Sequence, residues 1–285
     1  MTILVTGATG PLGRLTIDAL IHRGVAPADI AALVRDSARA QDLRDRGVQV
    51  RVGSYDEAET LDAALAGVER LVFISGSEVG QRILQHQNVV DAAVRAGVGL
   101  VAYTSVVRAD TSSLGLAAEH KATEEMLAAA DLPSVLLRNS WYLENYTAQI
   151  PTVLEHGVLL GAAGDGRLSA ATRADFAEAA AAVVTGEGHA GQVYELGGDT
   201  AFTLSELAAE LAAQSGAEVT YRDLSVADYA AALVGAGVPE GYAMALATSD
   251  DAIKGGALLV ETGDLGRLIG RPTTTMPEAI RAALA

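Results

Sequence analysis

The sequence predicts an α/β protein of the doubly wound, Rossmann-type parallel-sheet class, with a smaller domain in its C-terminal half. Three observations predict it. An apolar run, Ile3-Leu4-Val5, leads straight into the glycine-rich turn Thr6-Gly7-Ala8-Thr9-Gly10-Pro11-Leu12-Gly13. Short β-rich runs then alternate with amphipathic stretches as far as Arg138, the pattern of a parallel sheet covered on both faces. Beyond Arg138 the alternation weakens and alanine-rich helical segments take over.

Strands are expected at Ile3 to Thr6, Ile30 to Val34, Val48 to Val52, Leu71 to Ser75, Leu100 to Thr104 and Val135 to Leu137. Between them the apolar spacing predicts helices over Arg14 to Arg23, Ala38 to Arg46, Glu57 to Ala66, Arg82 to Ala96 and Glu119 to Ala130. Such units connect by right-handed crossovers, so the sheet should reverse direction beside its first strand and carry its ligand there. The second half predicts a helix over Tyr142 to His156, a turn at Gly161 to Gly166, a helix over Asp175 to Thr185, a strand over Gln192 to Leu196, and helices at Leu204 to Ser215, Val226 to Ala236 and Pro277 to Ala285. Residues 1–140 are read as the nucleotide-binding domain, with a strand near 192–197 returning to it. Residues 141–285 mainly form the smaller domain that closes over the substrate.

The glycine turn carries the first functional signal. A strand, a glycine turn and a helix start are the geometry that cradles a dinucleotide pyrophosphate on backbone N–H groups. Gly7 permits the tight turn, Gly10 lets the backbone approach phosphates, and Gly13 lets the helix sit close on the strand. The Gly-x-x-Gly-x-x-Gly spacing leans toward the short-chain dehydrogenase branches of the fold. Ala8, Thr9, Pro11 and Leu12 complete the loop.

Composition narrows the chemistry. The 285 residues are 50% hydrophobic and 20% charged with 7 prolines, ordinary values for a globular α/β enzyme. A formal net charge of −16 disfavours nucleic acid as a partner, because phosphate binding needs a basic face. With no cysteine, disulfides, thiolate metal sites and thiol redox chemistry are excluded, so electrons must travel on a bound cofactor. No metal site is expected. The chain starts without a basic leader and has no membrane-length apolar stretch, so a soluble cytoplasmic protein is expected. Oligomeric state leaves no mark in the sequence.

Strand two runs into Val34-Arg35, where dinucleotide enzymes select between NAD and NADP. A guanidinium there meets a 2′-phosphate with charge-assisted hydrogen bonds, whereas a carboxylate would repel it. Arg35 therefore predicts NADPH, although Asp36 beside it could reach a ribose if the loop turned differently. Asp56, after strand three, is placed either to serve the adenine or to cap the following helix. Ser75 and Gly76, after strand four, are placed at the pyrophosphate or ribose.

An acid–base pair common in short-chain dehydrogenases is missing. A Tyr four residues before a Lys uses the ammonium to lower the phenol pKa, but no Tyr here has Lys at that spacing; Tyr103 is followed there by Val107. Alcohol oxidation and sugar-nucleotide epimerisation lose support. Quinone reduction does not need the pair, since the product is a phenolate whose conjugate acid has a pKa of about 10. Catalysis then reduces mainly to holding nicotinamide and acceptor ring face to face.

The residues resemble a known family, the NmrA-like atypical short-chain dehydrogenases, in the branch of bacterial type 2 NAD(P)H:quinone oxidoreductases. Segments carrying the resemblance are TGATGPLG from Thr6, FISGSEVGQR from Phe73, AYTS from Ala102, EHKATE from Glu119, LLRNSWYLENY from Leu136, GAAGDGRLSAATRAD from Gly161, VYELGGD from Val193 and LIGRPTTT from Leu268. Triphenylmethane dye reductases look like the next nearest relatives, while Ser77-Glu78-Val79-Gly80-Gln81-Arg82 looks quinone-reductase-like. The resemblance implies direct hydride transfer from NADPH to a quinone-like acceptor bound between two domains. It implies that Asn139, Ser140, Trp141 and Tyr142 line the nicotinamide and that Glu144, Asn145 and Tyr146 border the acceptor, with Asn145 and Tyr142 positioning it. His120 falls where related enzymes carry a Lys on the nicotinamide ribose; it could donate to a hydroxyl or shuttle a proton near neutral pH. Lys121 is the competing candidate for that contact, and Arg173 either faces the pocket or pairs with a carboxylate such as Asp175. Two other functions fit the same cofactor half: a non-enzymatic NADP-sensing regulator of the NmrA type, and a reductase of dyes or other electrophiles.

Overall fold

The computed structural model of the chain describes residues 1–78 and 80–285. Val79, inside the SEVGQR run singled out above, lies outside the described residues. In the first half, β1 (Ile3–Val5) is followed by α1 (Pro11–His22), β2 (Ile30–Val34), α2 (Gln41–Asp45), β3 (Gln49–Val52), α3 (Ala58–Leu65), β4 (Arg70–Phe73), α4 (Arg82–Ala96), β5 (Leu100–Val106), α5 (Ala117–Ala129) and β6 (Ser134–Asn139). The second half adds α6 (Glu144–Thr147), α7 (Ile150–His156), β7 (Val158–Gly161), α8 (Arg173–Thr185), β8 (Val193–Leu196), α9 (Leu204–Ser215), β9 (Thr220–Asp223), α10 (Val226–Gly235), α11 (Glu240–Lys254), α12 (Asp264–Ile269) and α13 (Met276–Leu284).

Among the described residues the main sheet has seven strands in the order β3-β2-β1-β4-β5-β6-β8, every neighbouring pair parallel. Ile3 of β1 lies opposite Ile30 on one side and Arg70 on the other. The strand order reverses there, which opens a crevice at the carboxyl ends of the strands beside β1. The doubly wound, Rossmann-like class is thus observed.

β1 and β2 are buried along their whole length because helices cover both faces. Alternate residues of β1 serve different cores: Ile3 and Val5 pack with Ile17, Leu20, Phe176 and Val183, while Leu4 packs with Leu61, Phe73, Val90 and Tyr103. α8 therefore packs on the sheet with α1, its small alanines allowing close approach. A further core, with Leu143, Ile150, Leu159, Phe202, Leu207 and Leu258, lies under α6, α7, α9 and the C-terminal helices. There β7 and β9 form a two-stranded parallel sheet.

Several boundaries differ from expectation. The helix expected over Tyr142 to His156 is two short helices, with Tyr142 outside both and bridged to Ala171. Pro151 is the cause: with no N–H and a ring that clashes with a preceding turn, it is tolerated only where a helix begins, and α7 begins there. The segment from Ala38 to Arg46 starts as a 3-10 turn, Ser37–Ala40, before α2. β7, β9, α11 and α12 were not expected; β9 is a short Thr-Tyr-Arg-Asp segment, largely exposed, with no apolar alternation to reveal it. Among the described residues, no helix is long and apolar enough to cross a membrane, and no cluster of His, Asp or Glu could hold a metal ion.

Candidate active site

The crevice is built first by backbone. Gly7 takes the left-handed conformation (φ 56°) that lets the chain leave β1 and double back. Gly10 donates its N–H to the Gly7 carbonyl at 2.9 Å and caps α1, with Pro11 in the first turn where a missing N–H costs nothing. Gly13 is required by space: a Cβ there would lie 2.3 Å from the Gly7 carbonyl oxygen and 2.7 Å from the Ala8 Cα. Ala8 and Leu12 are buried beneath the turn, and the Ala8 N–H is taken by the Leu33 carbonyl. Thr9 is half-buried at the bend. The N–H groups of Leu12 and Gly13 belong to the first turn of α1, which has no intrahelical acceptors, and they carry the positive end of the helix dipole.

The neighbouring loops converge on the same rim. Arg35, its side chain 71% exposed, reaches across to Glu78 at 3.2 Å. Asp36 is tied down locally, accepting from the Ala38 N–H at 2.9 Å and capping the 3-10 turn. Asp56 accepts from the Gln85 amide at 3.0 Å; Glu57 sits at the cap of α3 and gives it no side-chain bond, so the helix-cap reading of Asp56 does not hold. The N–H groups of Ser75 and Gly76 are already engaged, by Thr104 Oγ1 at 3.0 Å and His86 Nε2 at 2.9 Å. Both N–H groups thus have partners within the fold, which speaks against their meeting a pyrophosphate.

Beneath this rim runs a row of buried rings. Tyr55, Phe73, His86, Tyr103 and His120 contact one another in series, with centroids 4.7 to 6.1 Å apart. The row begins at Thr6, whose hydroxyl receives the Tyr55 phenol, and ends at His120, whose Nδ1 lies 2.8 Å from the Tyr103 hydroxyl. Burial pushes the Tyr103 phenol well above its usual range, so it stays protonated beside His120 Nδ1. Burial first, then the Arg82 guanidinium, pushes the His120 pKa down to about 3. His120 is thus neutral and held in place by Tyr103, which speaks against a proton shuttle near neutral pH. Lys121, about a quarter-turn further round the same helix, is exposed, whereas His120 is 5% exposed.

His86 was missed by sequence reasoning. It accepts the Gly76 N–H through Nε2 and faces Thr123 Oγ1 at 2.8 Å through Nδ1, which fixes the loop after β4. Burial brings its pKa down to about 3. A signal was present: His86, Val89, Val90 and Ala93 fall at helical spacing on the buried face of α4. Arg82 and Glu119, paired at 2.6 Å and nearly buried, clamp the same loop; Arg82 also donates to the Gly76 carbonyl at 2.8 Å.

On the far side of the crevice, Asn139 ends β6 and its Oδ1 is buried without a hydrogen-bond partner. Ser140 is drawn away, its hydroxyl donating to the Leu258 carbonyl at 3.1 Å, and Trp141 packs against the C-terminal core. Tyr142 stands edge-on to Phe176 at 5.5 Å, and burial raises its phenol pKa. The Arg173 guanidinium lies 4.4 Å above the Tyr142 ring, donates to Asn145 Oδ1 at 2.9 Å, and pairs with Glu144 at 3.5 Å. Its carboxylate is thus Glu144; Asp175 is buried and pairs instead with Arg271 at 2.7 Å. The Asn145 side-chain oxygen is thus held by Arg173. Tyr146 turns inward, its hydroxyl buried and unpartnered.

Tyr142, Asn145 and Arg173 thus form one polar group, and the glycine turn, Arg35, Asp56 and Ser75 each follow a strand at the carboxyl edge of the main sheet. A family model described as the NmrA-like family matches residues 1–256. The chain belongs to the NmrA-like family. Within it, the chain is 53% identical to Escherichia coli quinone oxidoreductase 2 over 98% of its own length and 97% of that protein's. The crystal structure of E. coli NADPH-dependent quinone oxidoreductase 2 complexed with NADPH matches with a TM-score of 0.97 at 52% identity, covering 100% of both chains. Citrobacter sp. triphenylmethane reductase complexed with NADP(H) matches with a TM-score of 0.94 at 39% identity, over 99% of this chain and 100% of that one.

Proposed function

We propose that this chain is an NADPH-dependent quinone oxidoreductase that passes hydride directly to a quinone lying between the main sheet and the C-terminal part of the molecule. One observation carries the reading beyond likeness to relatives. Tyr142 and Asn145 share one fixed cation, Arg173, and no Tyr of the chain has a Lys at the spacing that would let it deliver a proton.

The residues present fit the cofactor. The turn from Gly7 to Gly13 and the start of α1 would take its pyrophosphate, and Arg35 its 2′-phosphate. Asn139 Oδ1, a buried acceptor without a partner, suits the carboxamide N–H, since leaving such an atom unpaired costs about 1–3 kcal/mol. His120, neutral and held by Tyr103, would hydrogen-bond the ribose. NADPH supplies the hydride. Residues 1–140 serve mainly the nucleotide and 141–285 mainly the acceptor.

On the acceptor side, Asn145 and the Tyr142 phenol donate to the quinone oxygens, and Arg173, held by Glu144 and Asn145, keeps a positive charge beside the oxygen that becomes phenolate. The product anion, with a conjugate-acid pKa of about 10, takes its proton from water. Asn145→Ala lowers kcat/KM for a quinone about tenfold or more, with NADPH Kd unchanged; full activity in that variant removes the assigned role. Steady NADPH consumption with a simple benzoquinone or naphthoquinone tests the function as a whole. Tight NADPH binding without consumption would instead mark a redox sensor, and a triphenylmethane dye as the favoured acceptor would mark a dye reductase.

A further inference from the structure

Buried charge anchors Gly76 and Gly80: Arg82 donates to the Gly76 carbonyl at 2.8 Å, and Glu119 accepts from the Gly80 N–H at 2.7 Å. Between these anchors Glu78 extends over the rim, and each of its carboxylate oxygens has a partner. Oε1 meets Arg35 at 3.2 Å and Oε2 meets the Gln85 amide at 3.1 Å. Gln85 is 5% exposed, and the same nitrogen donates to Asp56 Oδ1 at 3.0 Å. Two carboxylates, Glu78 from the loop after β4 and Asp56 from the loop after β3, thus share one buried amide. The guanidinium facing Glu78 is the one at the end of β2.

We propose that Glu78 tunes cofactor selectivity by competing with the cofactor's 2′-phosphate for Arg35. The inference rests on the reading of Arg35 as the 2′-phosphate ligand. A phosphate that pairs with this guanidinium must displace the Glu78 carboxylate, and once displaced Glu78 stands as a like charge beside it, with Asp56 behind. NADH brings no phosphate, leaves the Arg35–Glu78 pair intact, and offers ribose hydroxyls that a carboxylate accepts. Glu78 therefore lowers the affinity for NADPH without lowering that for NADH. Gln85 is the positioning residue, since its buried amide aims Glu78 at Arg35.

The pair is exposed, 71% at Arg35 and 49% at Glu78, so its strength is that of a surface ion pair. Glu78→Gln is expected to tighten NADPH about two- to fivefold, the equivalent of up to about 1 kcal/mol, and to leave NADH unchanged or weaker. Calorimetric titration of the full-length protein with each nucleotide reads this directly, in the wild type, Glu78→Gln, Arg35→Ala and the double variant. In the Arg35→Ala background the Glu78→Gln effect should vanish, because the competed group is gone. If Arg35→Ala erodes the NADPH preference but Glu78→Gln leaves NADPH affinity unchanged or weakens it, the competition is overturned and the Arg35 reading stands. If Arg35→Ala leaves the preference intact, both fall together.

Discussion

Two histidines show how much a single buried side chain decides. His86 and His120 carry pKa values brought from 6.5 to about 3, in each case chiefly by burial. Below pH 6.5 the unfolded chain takes up a proton at each that the folded protein refuses, so stability is complete above that pH and falls steadily toward pH 3. Each contributes a slope of about 1.4 kcal/mol per pH unit inside the window. Asp250 works the other way: buried, its carboxyl is raised from 3.8 to about 6, so the folded state holds a proton the unfolded state has lost, and stability gains as pH falls through that range. Two wide windows outweigh one narrow one. The melting temperature should drop as pH goes from 7 to 4, and His120→Gln should flatten that dependence; an unchanged slope would contradict the assignment of a neutral imidazole. Arg35→Ala should lower kcat/KM for NADPH about tenfold or more while sparing NADH, the loss expected for a charge-assisted pair.

At the scale of elements, the join between β1 and α1 sets the crevice. Gly13 sits where a Cβ would strike backbone at 2.3 Å, whereas one at Gly10 would lie 3.2 Å from the Gly7 carbonyl oxygen. Gly13→Ala is therefore expected to destabilise by about 1–3 kcal/mol or more and to abolish nucleotide binding, with Gly10→Ala milder on stability. Chemical denaturation of the two variants checks the order. This join was legible in the sequence because glycine spacing and an apolar run are local signals. The break before α7 was legible in principle from Pro151, but the apolar spacing on either side hides it. The ring row was not legible: Tyr103 and His120 are 17 residues apart on different elements, and only the parallel register of β4 with β5 sets Phe73 beside Tyr103. Arg173 was recognised as a candidate, yet its pairing with Glu144 rather than Asp175 follows from where α8 starts, a boundary set by the Thr172 cap.

For the whole molecule, sheet order follows from the alternation of strands and helices, and the first half obeys it. The second half mixes destinations. α8 and β8 return to the main sheet while the segments around them build the separate core under α9, and no local pattern announces which is which. Buried Asp175 joins the two: it accepts from the Thr274 N–H at 3.0 Å and pairs with Arg271, fastening the segment before α13 onto α8. Asp175→Ala should loosen that segment, costing about 1–3 kcal/mol and raising its hydrogen exchange ahead of the main sheet's. The central claim is that this assembly holds a reduced nucleotide against an electron-poor ring and needs no proton relay of its own. Rapid mixing of NADPH-loaded, flavin-free protein with a benzoquinone tests it most directly. The account predicts one nicotinamide oxidised per quinone reduced in a single turnover, slowed when the transferred hydrogen is deuterium; a protein that binds NADPH and leaves it reduced would contradict it.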